Sequence, residues 1–295
     1  MKILIIGQSV VDSINEDGKI SIKPGGIFYS AVAAVSVAEK DNEIFLCTSL
    51  TKEHEYLFEE VYRKISKTYI EYRDKIPKVN LTIYQNRERD ERYENVTRNL
   101  NIPVDKLQKF AGIFINMITG FDITLEQLEH IRKKFDGLIY FDVHTFSRGL
   151  DEDGNRRLRR IPGFKKWAAC VDIIQANEDE LKTVSRKISE NEIVRELLFC
   201  GVKQVIITKA EKGVLVYFKS EEDIESVYIP AIKVKTRNKV GCGDVFGAVY
   251  FYSYIRTKDV NKSLRIANIA AGCSATYSDI KEFSNLKKDV QQRYS

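Results

Sequence analysis

The stretch Asn238-Lys239-Val240-Gly241-Cys242-Gly243-Asp244-Val245-Phe246-Gly247-Ala248 sets two glycines around a small residue and follows at once with a carboxylate. It opens an apolar run over 245–255, interrupted only by Gly247 and Ser253, which predicts a buried helix too short to cross a membrane. The Gly-Cys-Gly turn then lies at a helix N-terminus, where unpaired N–H groups and the helix dipole attract an anion. Gly241 and Gly243 lack Cβ, so backbone there can approach a phosphate closely. Asp244 repels such an anion unless it acts on a neighbouring hydroxyl. A base that takes an alcohol proton while the turn holds a phosphoryl group accounts for both features. The competing reading is that Asp244 caps a core helix and the glycines merely turn the chain. Glycines at 241, 243 and 247 do not match G-x-G-x-x-G, and no G-x-x-x-x-G-K-[ST] loop occurs anywhere in the chain.

At 295 residues, 43% of them hydrophobic and only 5 proline, the chain is long and apolar enough for a sizeable core. Its 47 basic and 42 acidic side chains leave a net charge of +5, too even a balance to call for nucleic acid. The 5 cysteines (47, 170, 200, 242, 273) are odd in number and never spaced C-x-x-C. They read as reduced thiols of a cytoplasmic protein, with neither a zinc site nor a disulfide frame. The opening Met1-Lys2-Ile3-Leu4-Ile5-Ile6-Gly7 has an apolar core too short for a signal peptide and suits a first buried strand. Neither a membrane nor a nucleic acid is expected as partner.

Read in order, Lys2 to Gly7 is a strand with Asp12 just past its C-terminal end, and Pro24-Gly25-Gly26 turns into an Ala/Val-rich helix, Ile27–Ala38. Strands are predicted over Glu43–Thr48, Ile113–Asn116, Gly137–Phe141, Val171–Gln175, Gln204–Thr208, Gly213–Phe218 and Ser226–Ile229. Helices are predicted over Glu53–Ile65, Leu125–Phe135 and Leu264–Thr276. Val79–Tyr84 and Tyr93–Thr97 flank the charged run 85–92 and suggest a hairpin. The alternation calls for a single α/β domain, a mostly parallel doubly wound sheet flanked by helices. Polar groups stop successive strands at Asp12, Asp142, Asn177–Glu180 and Thr208 and open the helix at Asp244, which points to one crevice.

In combination these segments resemble the ribokinase-like, PfkB-type carbohydrate kinases. Residues 241–246 resemble that family's D-T-x-G-A-G-D-x-F signature, which implies Asp244 as catalytic base and Gly241, Cys242 and Gly243 as anion hole. Residues 25–30 resemble its G-G-x-x-x-N signature, implying that Gly25, Gly26 and Ser30 line the substrate site together with Asp12. Asn177-Glu178-Asp179-Glu180 is similar to N-x-x-E, implying that Asn177 serves the phosphates and Glu180 the Mg²⁺, the latter through water. Residues 208–213 resemble T-x-G-x-x-G, which makes Thr208, Ala210 and Gly213 nucleotide-binding, with Asn268 approaching the adenine. Asp142-Val143-His144 loosely resembles D-x-N. The resemblance implies residues 1–295 as one kinase domain with a β lid from about 15–24 and 79–98. It also implies ATP and Mg²⁺, a sugar or sugar-like acceptor, and a homodimer if lid edges pair.

Asn238-Lys239 stands for Asp-Thr, Ser30 for Asn, Ala210 for Gly and His144 for Asn. Ser30 makes fewer hydrogen bonds than Asn, which weakens any ribose-type recognition. Ala210 is tolerated only where the backbone avoids positive φ. Many such kinases are activated by a monovalent cation beside the anion hole. Here Lys239 is expected to supply that charge, so that K⁺ is not needed. The rival readings are a nucleoside kinase of the same fold, with Phe28-Tyr29 stacking on a base, and a non-catalytic nucleotide- or sugar-binding protein.

Overall fold

The computed structural model describes residues 1–16, 18–83, 90–220 and 223–294. The first part of the chain forms β1 (Lys2–Ile6), β2 (Ser9–Glu16), β3 (Lys19–Gly26), α1 (Phe28–Val37), β4 (Glu43–Leu50), α2 (Glu55–Tyr62), β5 (Ser66–Tyr72), β6 (Lys78–Ile83) and β7 (Asp90–Glu94). Next come β8 (Gly112–Asn116), α3 (Leu125–Lys134), β9 (Leu138–Asp142), β10 (Arg148–Leu150), β11 (Arg156–Leu158), α4 (Phe164–Ala168), β12 (Ile173–Asn177), α5 (Glu178–Leu181) and α6 (Glu190–Phe199). The last part gives β13 (Gln204–Thr208), β14 (Gly213–Lys219), β15 (Ile224–Pro230), α7 (Cys242–Thr257), α8 (Val260–Ser274) and α9 (Leu286–Tyr294).

The main sheet runs β15-β14-β13-β12-β9-β8-β1-β4-β5. It is parallel from β13 to β5, and β14 and β15 add antiparallel at one edge. Its strands are apolar on both faces because both are covered. Ile3, Ile5 and Phe114 face one core with α1, α2, α7, α8 and α9. Leu4, Ile6, Ile113 and Ile115 face the other with α3 to α6. The period-2 alternation of side chains thus divides each hydrophobic strand between two helical layers. The α7 run predicted over 245–255 is buried along nearly its whole length, with its Phe251 packed against the stacked rings of Phe114 and Tyr140 in the strands beneath.

A second sheet, β3-β2-β6-β7, stands beside the strand ends. Asp12 lies inside β2, paired with Lys23 and Val79, and not in a loop following β1. Pro24-Gly25-Gly26, expected as a turn, is the end of β3. Proline is accommodated there because β3 is an edge strand. The chain turns at Gly26, whose φ is +65°. β6 and β7 pair antiparallel, as the hairpin reading expected, but residues 84–89 of the charged run lie outside the described residues. The β10–β11 hairpin braces this sheet. Tyr93 N–H donates to Gly154 C=O at 3.1 Å, and the Arg156 guanidinium lies 4.5 Å over the Tyr93 ring.

Candidate active site

The first bond of α7 runs from Val245 N–H to Gly241 C=O at 2.8 Å. The N–H groups of Gly243 and Asp244 precede it and have no carbonyl one turn back. Gly241 has φ +77°, and a Cβ there would come within 2.3 Å of the Tyr29 ring. Both facts require glycine. The irregular segment leading in is tied to α8, since Arg237 and Asn238 N–H both donate to Ala275 C=O at 2.8 and 3.1 Å. Asn238 Oδ1 accepts from Val240 N–H at 2.9 Å and so closes the turn before the glycines.

Asp244 is buried, 7% exposed, in the first turn of α7. It is not an N-cap, because its bonds reach other elements. Its Oδ1 accepts from Asn116 Nδ2 at 2.6 Å, and His144 Nε2 lies 3.8 Å from the same oxygen. Burial pushes its carboxyl above the ordinary range, while His144 and the Asn116 amide pull it back. Asp142, at the end of β9, is raised well above that range by burial and by the charges of Glu180 and Asp244. It accepts from His144 N–H at 3.2 Å and from Gln175 Nε2 at 2.7 Å. Gln175 Nε2 also donates to Gly243 C=O at 3.1 Å, and Gln175 Oε1 accepts from the Tyr140 hydroxyl at 2.5 Å. One amide therefore joins the end of β9 to the glycine turn. His144 takes φ +38°, a strained conformation for a residue with a Cβ, and strain of this kind concentrates at functional sites.

Asn177 and Glu180 form a reciprocal capping box at the start of α5. Asn177 Oδ1 accepts from Asp179 and Glu180 N–H at 3.0 and 2.9 Å, and Glu180 Oε2 accepts from Asn177 N–H at 2.8 Å. Burial raises the Glu180 carboxyl, against the pull of His144 and of that N–H. Among the described residues no group of three His, Cys, Asp or Glu side chains could hold a metal. With one Glu180 oxygen committed to the cap, the donor set suits a hydrated Mg²⁺ reached through water.

A cavity of about 590 Å³ opens beside the glycine turn. Asn177, Thr208, Ala210, Gly213 and Asn268 all line it, together with Cys242, Gly243 and Lys239. Val214, Ile232, Val234, Phe246, Ala271 and Ala275 give it apolar walls. Asn268 Nδ2 donates to Pro230 C=O at 2.8 Å, so the group it can offer a ligand is its carbonyl oxygen.

Of the residues expected to contact a substrate, Asp12 and Ser30 reach the surroundings of Asp244 through Tyr29 and Asn116. The Asp12 carboxyl lies against Gly25, where a Cβ would meet it at 2.2 Å. Ser30 is fully buried, and Asn116 Nδ2 approaches its Oγ at 3.4 Å. Tyr29 packs between the groups: burial first, then the charges of Asp12, Asp244 and Cys242, hold its phenol far above its usual value. Sequence reading missed Asn116 and Gln175, and took Tyr29 only as a candidate stacking partner for a base. Asn116 and Gln175 each interrupt an apolar strand with an amide, a signal that was there to be read.

Residues 147–285 match the model of the pfkB family carbohydrate kinases. Over essentially its full length the chain superposes on the crystal structure of ribokinase from Thermotoga maritima. The TM-score is 0.78 at 19% identity, covering 98% of each chain. The chain has the ribokinase fold, and its residues 147–285 carry the match to the pfkB family. The same fold relates the chain to a nucleoside kinase from Burkholderia thailandensis solved in complex with inosine. There the TM-score is 0.79 at 15% identity, covering 100% of this chain and 97% of the other. In sequence it is 31% identical to ribokinase of Arabidopsis thaliana over 106 residues, which span 34% of this chain and 27% of the plant protein.

One expectation is overturned. Ala210 was to be tolerated only where φ stays negative, yet it takes φ +50° in the short turn between β13 and β14. Flanking bonds impose this: Lys209 N–H donates to Gly213 C=O at 2.8 Å and Lys212 N–H to Lys209 C=O at 3.0 Å. The left-handed conformation costs about 1–2 kcal/mol for a residue with a Cβ. Ala210→Gly relieves it and outweighs the extra freedom given to the unfolded chain. Stability in urea should rise by up to about 1 kcal/mol. A fall of that size would show that the turn is not strained.

Proposed function

We propose that this protein transfers the γ-phosphoryl group of ATP to a hydroxyl of a sugar or sugar-like molecule. The observation that carries the reading is the buried Asp244 carboxylate in the first turn of α7, whose Cys242 and Gly243 line the cavity and whose charge, with that of Asp12, acts on the Tyr29 phenol. ATP would lie in the cavity, its base between the apolar walls near Asn268 and its phosphates toward Lys239 and the 242–243 amides. Mg²⁺ bound by the phosphates and reached through water from Glu180 would offset their charge. Asp244 accepts the acceptor's proton, and the first-turn N–H groups stabilise charge on the group in transfer. Burial raises the Asp244 carboxyl, which makes its carboxylate a stronger base than one free in water.

Asp12 in β2 would hold acceptor hydroxyls, with the small sheet serving as a lid that excludes water. A nucleoside acceptor is the second reading, favoured by the Tyr29 ring packed against Gly241 and by likeness to the inosine-bound kinase. ADP release measured with D-ribose, D-fructose, inosine and cytidine separates the two. No transfer to any alcohol, with ATP still bound, would leave a non-catalytic binding protein.

Asp244→Asn should lower kcat by at least roughly 10²–10⁴-fold. Its stability should move the other way. Asp142, Glu180 and Asp244 all have folded-state pKa values raised above their unfolded values, so their contribution is full at low pH and lost as pH rises through the raised values. Removing one charge at neutral pH returns part of that loss, and Tm should equal or exceed the parent's. Near-normal turnover would remove the assigned role.

Lys239 lines the cavity beside the glycine turn, where a bound monovalent cation would otherwise supply charge. Turnover should therefore be unchanged when K⁺ replaces Na⁺ at constant ionic strength, and a steep rise would dispose of the substitution. The outer edge of β3 pairs with no other described strand and carries exposed Ile20 and Ile22, so edge-to-edge pairing of two lids would make a homodimer. Sedimentation should give a dimer that Ile20→Lys dissociates; a monomeric parent chain would end the idea.

A further inference from the structure

Asp244 is gripped by one oxygen. Asn116 Nδ2 donates to Oδ1 at 2.6 Å and His144 Nε2 lies 3.8 Å from that atom, while no hydrogen bond from another described residue reaches Oδ2. Asn116 is 0% exposed at the end of β8, in register with Asp142 of β9, with the apolar Ile113-Phe114-Ile115 before it. Its Nδ2 must be the atom that meets the carboxylate, since Oδ1 would repel an ionised one. That orientation leaves Asn116 Oδ1 buried with no hydrogen-bond partner. An unpaired buried carbonyl costs about 1–3 kcal/mol. An amide kept at such a position against stability is what a functional constraint produces.

We propose that Asn116 is the positioning residue of the base, locking the Asp244 carboxylate so that Oδ2 is the oxygen that takes the proton. The inference rests on the reading of Asp244 given above. A hydrogen bond donated to a carboxylate oxygen occupies that oxygen and fixes the carboxyl plane, which leaves the other oxygen free to take the proton. In the step itself the acceptor O–H bond breaks and its proton goes to Oδ2. The freed electron pair forms the new bond to the γ-phosphorus as the bond from phosphorus to the bridging oxygen of ADP breaks. Ser30, whose Oγ is 3.4 Å from the same Nδ2, backs the amide from α1.

The test compares the parent protein, Asn116→Leu and Asp244→Asn. Titration of the ¹³C-labelled aspartate carboxyls, with the Asp244 signal identified by its loss in Asp244→Asn, needs no acceptor. Without the donor, the Asp244 titration should move to higher pH in Asn116→Leu, and Tm at neutral pH should fall with it. With whichever of D-ribose and inosine is turned over, kcat should fall about 10–10²-fold, the cost of a misplaced reacting group. KM should change little, and the acid limb of the kcat profile should move up with the titration. Should the leucine variant not fold, Asn116→Asp shifts the same titration further upward by adding a like charge. An unmoved titration with unchanged kcat, while Asp244→Asn is inactive, overturns the inference alone. Full activity in Asp244→Asn overturns the underlying reading instead.

Discussion

Everything near the crevice follows from holding a charged carboxylate out of water at the start of an apolar helix. Taking Asp244 from bulk water is costly, and Asp142 and Glu180 nearby add like charge. The chain offsets this with directed groups and with no full counter-charge. The Asn116 amide, the His144 ring and the positive end of α7 all converge on the carboxyl. A strong ion pair with Arg or Lys would have stabilised the protein more and left the carboxylate too weak a base. The arrangement leaves a buried carboxyl raised above its ordinary range at the expense of folded-state stability.

The sheet makes that arrangement possible. Parallel strands β8, β9, β12 and β13 end side by side, so Asn116, Asp142, Asn177 and Thr208 arrive at one rim without any long-range search by loops. Gln175, one turn of the pleat inside that rim, links Asp142 to Gly243 and so fixes the helix start against the sheet. Gly247 is part of the same fit. A Cβ there would meet Gln175 Oε1 at 2.9 Å, so α7 can lie close to the strand ends only where it lacks a side chain.

Much of this was readable because it depends on local rules. The apolar strands with polar stops, the glycine turn before a buried run and the Asn177/Glu180 capping spacing each carry their own signal. The misses have physical reasons too. β2, β5 and the β10–β11 hairpin are half-exposed strands with mixed composition, stabilised by pairing and not by burial, so their pattern is weak. The Asp-Gly at 153–154 did announce the last of these. Pro24-Gly25-Gly26 looked like a turn because edge-strand proline and true turn proline are indistinguishable until the sheet is known. Ala210 was misjudged because the bonds that force its φ come from residues on either side of it.

The departure at Ser30 gains a meaning once the packing is visible. Asn116 Nδ2 stands 3.4 Å from Ser30 Oγ and 2.6 Å from Asp244 Oδ1, among three buried side chains. A longer amide at position 30 would compete with Asn116 for that space and for the same carboxylate. Positions 30 and 116 are therefore coupled through one small volume, and the short hydroxyl is the choice that leaves the amide of β8 free to hold the base. A change that reads in sequence as a lost substrate contact is, in the folded chain, a condition for the geometry around Asp244.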